Sequence, residues 1–204
     1  MVADDIGIFV NPVRVFSRQD VLANPSPVPA HGGIYGWWFR QLPPLVKAGG
    51  CCQHQGLMLL YAGISPDRPP RNGQPSSKRN LQKRIKEHYI RTAEASTLRR
   101  TLGCLLADEL GIQLRRVGSG NRTTFVTGEQ KLSAWMAENA YVSWIVHSRP
   151  WELEDYLIAA LDLPLNIDGN SRNQFCPVLR AARARCMAQA MALPILPNPG
   201  IGGR

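Results

Sequence analysis

Two tripeptides, Gly33-Ile34-Tyr35 and Tyr61-Ala62-Gly63, constrain this chain more than any other feature. Each sets a tyrosine and a glycine inside an apolar, strand-like run. The first run, Ile34 to Phe39, is rich in aromatic residues; the second, Leu57 to Ile64, is bounded by Gly56 and by Ser65-Pro66. Two adjacent strands with phenols so placed present them to one site. Gln41 to Gln55, between the runs, reads as a loop that is long for a hairpin.

The 204 residues suffice for one well-buried domain with arms or insertions and are short for two. The formal net charge is +9, and Arg68 to Arg100 holds ten Lys/Arg against two Glu, so the basicity is concentrated in one band. Such a band attracts polyanions, and its bland alternative is a solvated helix face. The five cysteines show no C-x-x-C spacing, and no basic, apolar leader opens the sequence. A reduced, cytoplasmic protein is the expectation. Cys51-Cys52-Gln53-His54 lacks a second ligand pair for tetrahedral zinc. No apolar run approaches the roughly 20 residues that span a bilayer, so no membrane partner is expected.

Along the chain, residues 1–31 read as an N-terminal arm: an apolar piece from Ile6 to Val10, a helical turn after Ser17 with Asp20 in capping-box position, and a stiff Pro-rich linker. Pro66 to Lys78 reads as a flexible loop, after which Ser76 or Ser77 caps a helix running to about Tyr89. On that helix Leu81, Ile85 and Tyr89 form an apolar arc, with Arg84 and His88 just beside it, one turn apart. Lys83 and Lys86 point away. An insertion at about 93–139 carries a helix from Thr97 to Leu110 ended by Gly111, a Gly/Ser-rich turn at 118–121 and a helical pattern at Leu132 to Glu138. Ala140 to Val146 is β-prone, a helix runs from about Trp151 to Leu161, and a last basic helix lies within Arg172 to Met191. The tail, 192–204, is expected to be disordered.

The helix at Trp151 has an informative flaw. Glu152, Asp155 and Asp162 share one face, whereas Glu154 sits inside the opposite, apolar arc of Leu153, Leu157, Ile158 and Leu161. A carboxylate there is protonated, paired with a cation such as Arg84, or bound to a metal ion. Phosphodiester hydrolysis needs an activated water, a proton acceptor, a stabiliser of phosphate charge and help for the leaving oxygen. Glu154 for a hard cation and Arg84 for phosphate oxygens meet two of those needs. A phenol is a weak base at neutral pH unless cations stabilise its phenolate. Taken singly, each tyrosine also reads as a half-buried strand residue, Arg84 as a snorkelling arginine and His88 as a satisfied core histidine.

In their order along the chain, Gly33-Ile34-Tyr35, Tyr61-Ala62-Gly63, Asn80-Leu81 with Arg84 and His88, Glu154-Asp155-Tyr156-Leu157-Ile158, and Pro164-Leu165-Asn166 resemble the GIY-YIG nucleases. The resemblance covers Gly32 to about Asn166, with insertions. It implies an α/β fold of the α+β type, a three-stranded antiparallel sheet flanked by helices, in a nuclease domain assigned here to 32–191. It also implies catalytic Tyr35, Tyr61, Arg84, His88 and Glu154, with Arg84 on phosphate, Glu154 as ligand of one Mg2+ or Mn2+ ion, and Asn166 as an organising residue. A histidine one turn after the arginine is similar to the version in restriction endonucleases of the family, where the first tyrosine is the base. Ala62 departs from the usual isoleucine. The spacings from Tyr35 to Tyr61 and from His88 to Glu154 exceed the minimal domain.

The expected activity is a DNA endonuclease. Rival readings are an RNA-directed or repair-associated nuclease, a nucleic-acid-binding module without turnover, and a structural adaptor whose basic band binds an acidic partner. Candidate nucleic-acid contacts are Lys83, Lys86, Arg99, Arg100, Arg115, Arg116, Asn121 and Arg122. Target choice is expected from the 41–55 loop and the insertion.

Overall fold

The computed structural model describes residues 2–47, 49–70 and 77–198. Helices α1 (Val2–Val10) and α2 (Arg18–Leu22) precede strands β1 (Gly33–Phe39), β2 (Gln53–His54) and β3 (Leu57–Ser65). Helices α3 (Leu81–Ile90), α4 (Thr97–Leu105) and α5 (Ala107–Leu110) follow, then a hairpin of β4 (Arg115–Val117) and β5 (Arg122–Thr124). Helix α6 (Gly128–Asn139), strand β6 (Ala140–Val146), helix α7 (Pro150–Ala160) and helix α8 (Cys176–Ala192) complete the fold.

The main sheet is antiparallel in the order β2-β3-β1-β6. It has four strands where three were expected: the 41–55 segment, read as loop throughout, contributes β2, two residues whose polar sequence carries no strand signal. β1 is central and buried along its whole length. Its alternation separates two cores. Tyr35, Trp37 and Phe39 pack with α3, α6 and α8, and Ile34 and Trp38 pack with Phe9 of α1 and Leu153 and Leu157 of α7.

A bulge between Trp37 and Trp38 leaves Leu60 of β3 without a partner, since Trp37 opposes Tyr61 and Trp38 opposes Leu59. The extra residue shifts the phase of β3, so that Leu60 and Tyr61 both meet the core containing Tyr35 and Trp37. Strict alternation would have sent Tyr61 to the opposite face.

The N-terminal segment is no free arm. Phe9, Val21 and Val28 are buried, and Phe16 exchanges two backbone hydrogen bonds with Val142 on the outer edge of β6. The described part of the tail is also held: Leu196 pairs with Val117 of β4. Residues 199–204 of the expected disordered tail, Ser76 as a cap, and 71–76 of the expected flexible loop lie outside the described residues. Helix α3 is capped by Asn80, not Ser77; its side chain accepts from the Lys83 N–H. No described helix is long and apolar enough to cross a membrane.

Candidate active site

A cleft of about 570 Å³ opens beside β3 and is lined by Tyr35, Tyr61, Arg84, Glu154 and Asn166, with Asp67, Arg68, Asp168 and Arg172 among its other walls. Five of the six residues singled out as catalytic or organising therefore meet in one place. The sixth, His88, stands behind Tyr35, its Nε2 2.8 Å from the phenol oxygen.

Tyr35 lies directly across from Gly63 in the β1–β3 ladder. A Cβ on Gly63 would come within 2.6 Å of the Tyr35 hydroxyl, so the glycine of the second tripeptide clears the surface over which the phenol lies. Burial pushes the Tyr35 hydroxyl well above its usual pKa, neighbouring Tyr61 adds to this, and the Arg84 guanidinium opposes it. Tyr61 is pushed up to about 12, again by burial first and against Arg84. In the protein alone both phenols keep their protons at neutral pH.

Helix α3 buries Leu81, Ile85, His88 and Tyr89. Arg84, beside that stripe, keeps only 14% of its side chain exposed and donates to the Ala95 carbonyl at 3.1 Å. It also contacts Glu87 at 3.5 Å. Lys83 and Lys86 are exposed, as the helical periodicity requires. Burial, followed by Arg84, Arg99 and Arg79, holds His88 well below the usual imidazole pKa, so it is neutral at pH 7.

Pro at the first turn sets the start of α7. Leu153, Leu157 and Ile158 are buried beneath it, and Glu154 is half-buried at the cleft. No described cation lies within ion-pair distance of Glu154, so the expected alternative of a pair with Arg84 is not formed; Arg84 turns to Glu87 and Ala95 instead. Burial, then Asp155 and Asp67, raises Glu154 to about 7, with Arg68 pulling the other way. Arg68 is itself bound to Asp155 at 2.5 Å. A carboxyl so destabilised as an anion gains from a hard cation, and the donor set fits one ion held by a single carboxylate with retained water. No described group of three or more His, Cys, Asp or Glu side chains is arranged as a metal cage.

Asn166 substitutes for a missing strand. Its side chain accepts from the Ala62 N–H at 2.9 Å and donates to the Ala62 carbonyl at 2.8 Å, while the Leu165 N–H bonds the Leu60 carbonyl at 3.0 Å. With β2 covering only the start of β3, these bonds satisfy the strand edge beside Tyr61. Buried Asn170 secures the turn from below by donating to the carbonyls of Leu163 and Asn166.

Several basic candidates turn inward. Arg99 is fully buried, paired with Glu129 at 2.7 Å and bonded to the carbonyls of His88 and Tyr89, so it is a core residue and no nucleic-acid contact. Its place on a charged helix face concealed this, because the partner lies thirty residues on. Arg115 bonds the Pro194 carbonyl, and Arg116 bonds those of Ala190, Met191 and Leu193 at the end of α8. Arg122 pairs with Glu94 at 2.8 Å and bonds Asn198. These three guanidinium groups hold the tail and the insertion together. Asn121 is exposed in the β4–β5 turn, and half-buried Arg100 has an Nε without a described partner.

Asp67, Arg68, Asp168 and Arg172 were absent from the sequence expectations. Asp168 follows Asn166 by two residues and was within reach of that motif; Arg68 counted only as charge in a loop. Ser96, bonded to His88 Nδ1 at 2.7 Å, was missed as well; its one sequence signal is a serine in N-cap position before the Thr97 helix. A larger hollow of about 900 Å³ adjoins the cleft, sharing Arg172 and bounded by Lys47, Gly49 and Gly50 of the 41–55 segment.

No curated protein and no solved structure matches the chain. The family model described as the GIY-YIG catalytic domain matches residues 33–185, which spans β1 through most of α8 and includes every wall of the cleft named above. With three quarters of its length under that match, the chain belongs to the GIY-YIG nuclease family.

Proposed function

We propose that this nuclease is a metal-dependent DNA endonuclease in which Tyr35 is the base, Arg84 binds the scissile phosphate, Glu154 holds one Mg2+ or Mn2+ ion and Asn166 organises the β3 edge. The observation that carries the reading is the convergence, in one cleft, of two phenols, a largely buried arginine and a carboxyl raised to about 7. When bound, a divalent ion supplies neutralisation of phosphate charge and assistance to the departing 3′ oxygen. Arg84, already oriented by Ala95, offers its remaining donors to phosphate oxygens as a planar fork. Tyr35 keeps its proton until cationic charge in the cleft stabilises the phenolate, which ties its work as a base to a loaded site. Tyr61, beside it, orders the water.

Recognition of the target falls to additions around this core. Lys83 and Lys86 are exposed for phosphate contact, and the 41–55 segment, beside the hollow that shares Arg172 with the cleft, is the candidate for substrate choice. Asn121 and Arg100 remain candidates within the insertion. The test offers supercoiled plasmid, linear duplex, branched DNA and RNA to the protein with magnesium, manganese or EDTA. Magnesium-dependent cutting of DNA, lost in Glu154→Gln, is the expected result. Cleavage of RNA alone, or unchanged cleavage by Glu154→Gln, overturns the proposal.

A further inference from the structure

The hydrogen bonds behind Tyr35 assign a direction that heavy-atom positions alone leave open. Tyr35, His88 and Ser96 form a buried chain: phenol oxygen to Nε2 at 2.8 Å, then Nδ1 to Ser96 Oγ at 2.7 Å. His88 and Ser96 are fully buried, and Tyr35 is buried up to the cleft. Ser96 is also the N-cap of α4, so its Oγ accepts from the Arg99 N–H at 3.1 Å. A hydroxyl has one proton to give. With one lone pair occupied by the Arg99 N–H, the described residues offer the Ser96 proton a single acceptor, His88 Nδ1. The opposite arrangement, with Nδ1 protonated and donating to Oγ, leaves a fully buried hydroxyl proton without a partner.

We infer that Ser96 is a positioning residue that locks His88 in the tautomer protonated at Nε2, so that His88 donates a hydrogen bond to Tyr35 and does not accept one from it. The inference rests on the nuclease reading only for its consequence in catalysis. There it decides between two roles for the histidine. As an acceptor, His88 takes the Tyr35 proton and becomes an imidazolium. As a locked donor, it holds the neutral phenol with its proton turned to the cleft, and when that proton passes to water there Nε2–H stabilises the phenolate left behind. Buried among Arg84, Arg99 and Arg79, the imidazole is poorly placed to gain a positive charge, which agrees with the donor role.

The experiment is long-range 1H–15N correlation on the full-length, 15N-histidine-labelled protein, with the His88 signals assigned by their loss in His88→Gln. A proton on Nε2 and a bare Nδ1 are expected. Ser96→Ala should leave His88 distributed between both tautomers and slow single-turnover cleavage about tenfold, and Ser96→Thr should restore both. A wild-type His88 protonated at Nδ1 overturns the inference, and this measurement stands even if Ser96→Ala fails to fold. An unchanged Nε2–H tautomer in folded Ser96→Ala overturns the lock as well. Wild-type protein that shows the expected tautomer yet cuts no nucleic acid upholds the lock and removes the nuclease reading instead.

Discussion

Arg84 and Arg99 sit on consecutive helices, both largely removed from solvent, and they end in opposite circumstances. Arg84 has a carbonyl, a distant carboxylate and an open cleft before it. Arg99 is surrounded by acceptors from its own chain. The same division separates the two regions they represent. Around the cleft, polar groups are held by a few bonds each and retain unmet capacity. In the insertion, Arg99, Arg122 and Arg116 are bound to Glu129, Glu94 and the carbonyls at the end of α8. Positive charge counted along a sequence thus divides into charge available to a ligand and charge used for cohesion.

The sharpest test of that division is on the cleft side. On the proposed reading Glu154→Gln should reduce cleavage by at least about 10³-fold, since several kcal/mol of transition-state stabilisation would pass through the ion that Glu154 holds. DNA affinity should persist. Tyr35→Phe should cost about 10²–10⁴-fold in single-turnover rate with little change in affinity. If Tyr61→Phe is dead and Tyr35→Phe is normal, the roles of the two phenols are exchanged.

On the other side, Arg99→Ala should destabilise the fold by about 3 kcal/mol in urea unfolding, because the Glu129 carboxylate, largely removed from solvent, loses its cation and keeps only the neutral donors of Ala93, Thr124 and Phe125. DNA affinity per folded molecule should remain. A large affinity loss without a stability loss would return Arg99 to the nucleic-acid surface.

A smaller effect comes from pH. Glu154 rises from 4.5 to about 7 on folding, so the folded protein binds the extra proton between those values. Without metal, its contribution is neutral below about pH 4.5 and becomes unfavourable as pH rises toward 7, by up to about 3 kcal/mol. Glu154→Gln should therefore match the wild type in stability near pH 4.5 and exceed it at pH 8. Equal unfolding midpoints at pH 8 would mean that the carboxyl is not strained.

The least effect is expected at the surface. Lys83→Ala or Lys86→Ala should lower the salt slope of DNA binding by up to about one unit each, and Arg115→Ala should leave it unchanged. An equal slope change in Arg115→Ala would blur the boundary between the two regions.

The strands carrying Tyr35 and Tyr61 and the flaw at Glu154 were legible because each shows in local periodicity. The third partner of the sheet, β6, was legible as β-prone but not by position, since pairing with β1 is long-range. β2 was not legible, because two polar residues are held there by neighbouring backbone rather than by their own propensity. The bulge at Leu60 left no trace in the sequence: Leu59 and Leu60 enter different cores as alternation requires, and only the next residue, Tyr61, breaks the pattern. The fate of Arg99, Arg115 and Arg116 was hidden because their partners lie far along the chain. Ser96 went unread, and its bond to His88 exists only in three dimensions.

β1 lies between a strand that follows it closely and one made about a hundred residues later. Synthesis on the ribosome therefore delivers this cleft in two instalments. Tyr35, Tyr61 and the α3 residues emerge first, with one flank of β1 still vacant, and Glu154 and Asn166 arrive only with β6 and α7. A nascent chain passes through a long interval in which it carries the two phenols and Arg84 without Glu154 and Asn166. The topology itself postpones completion of the cleft until most of the polypeptide has been made.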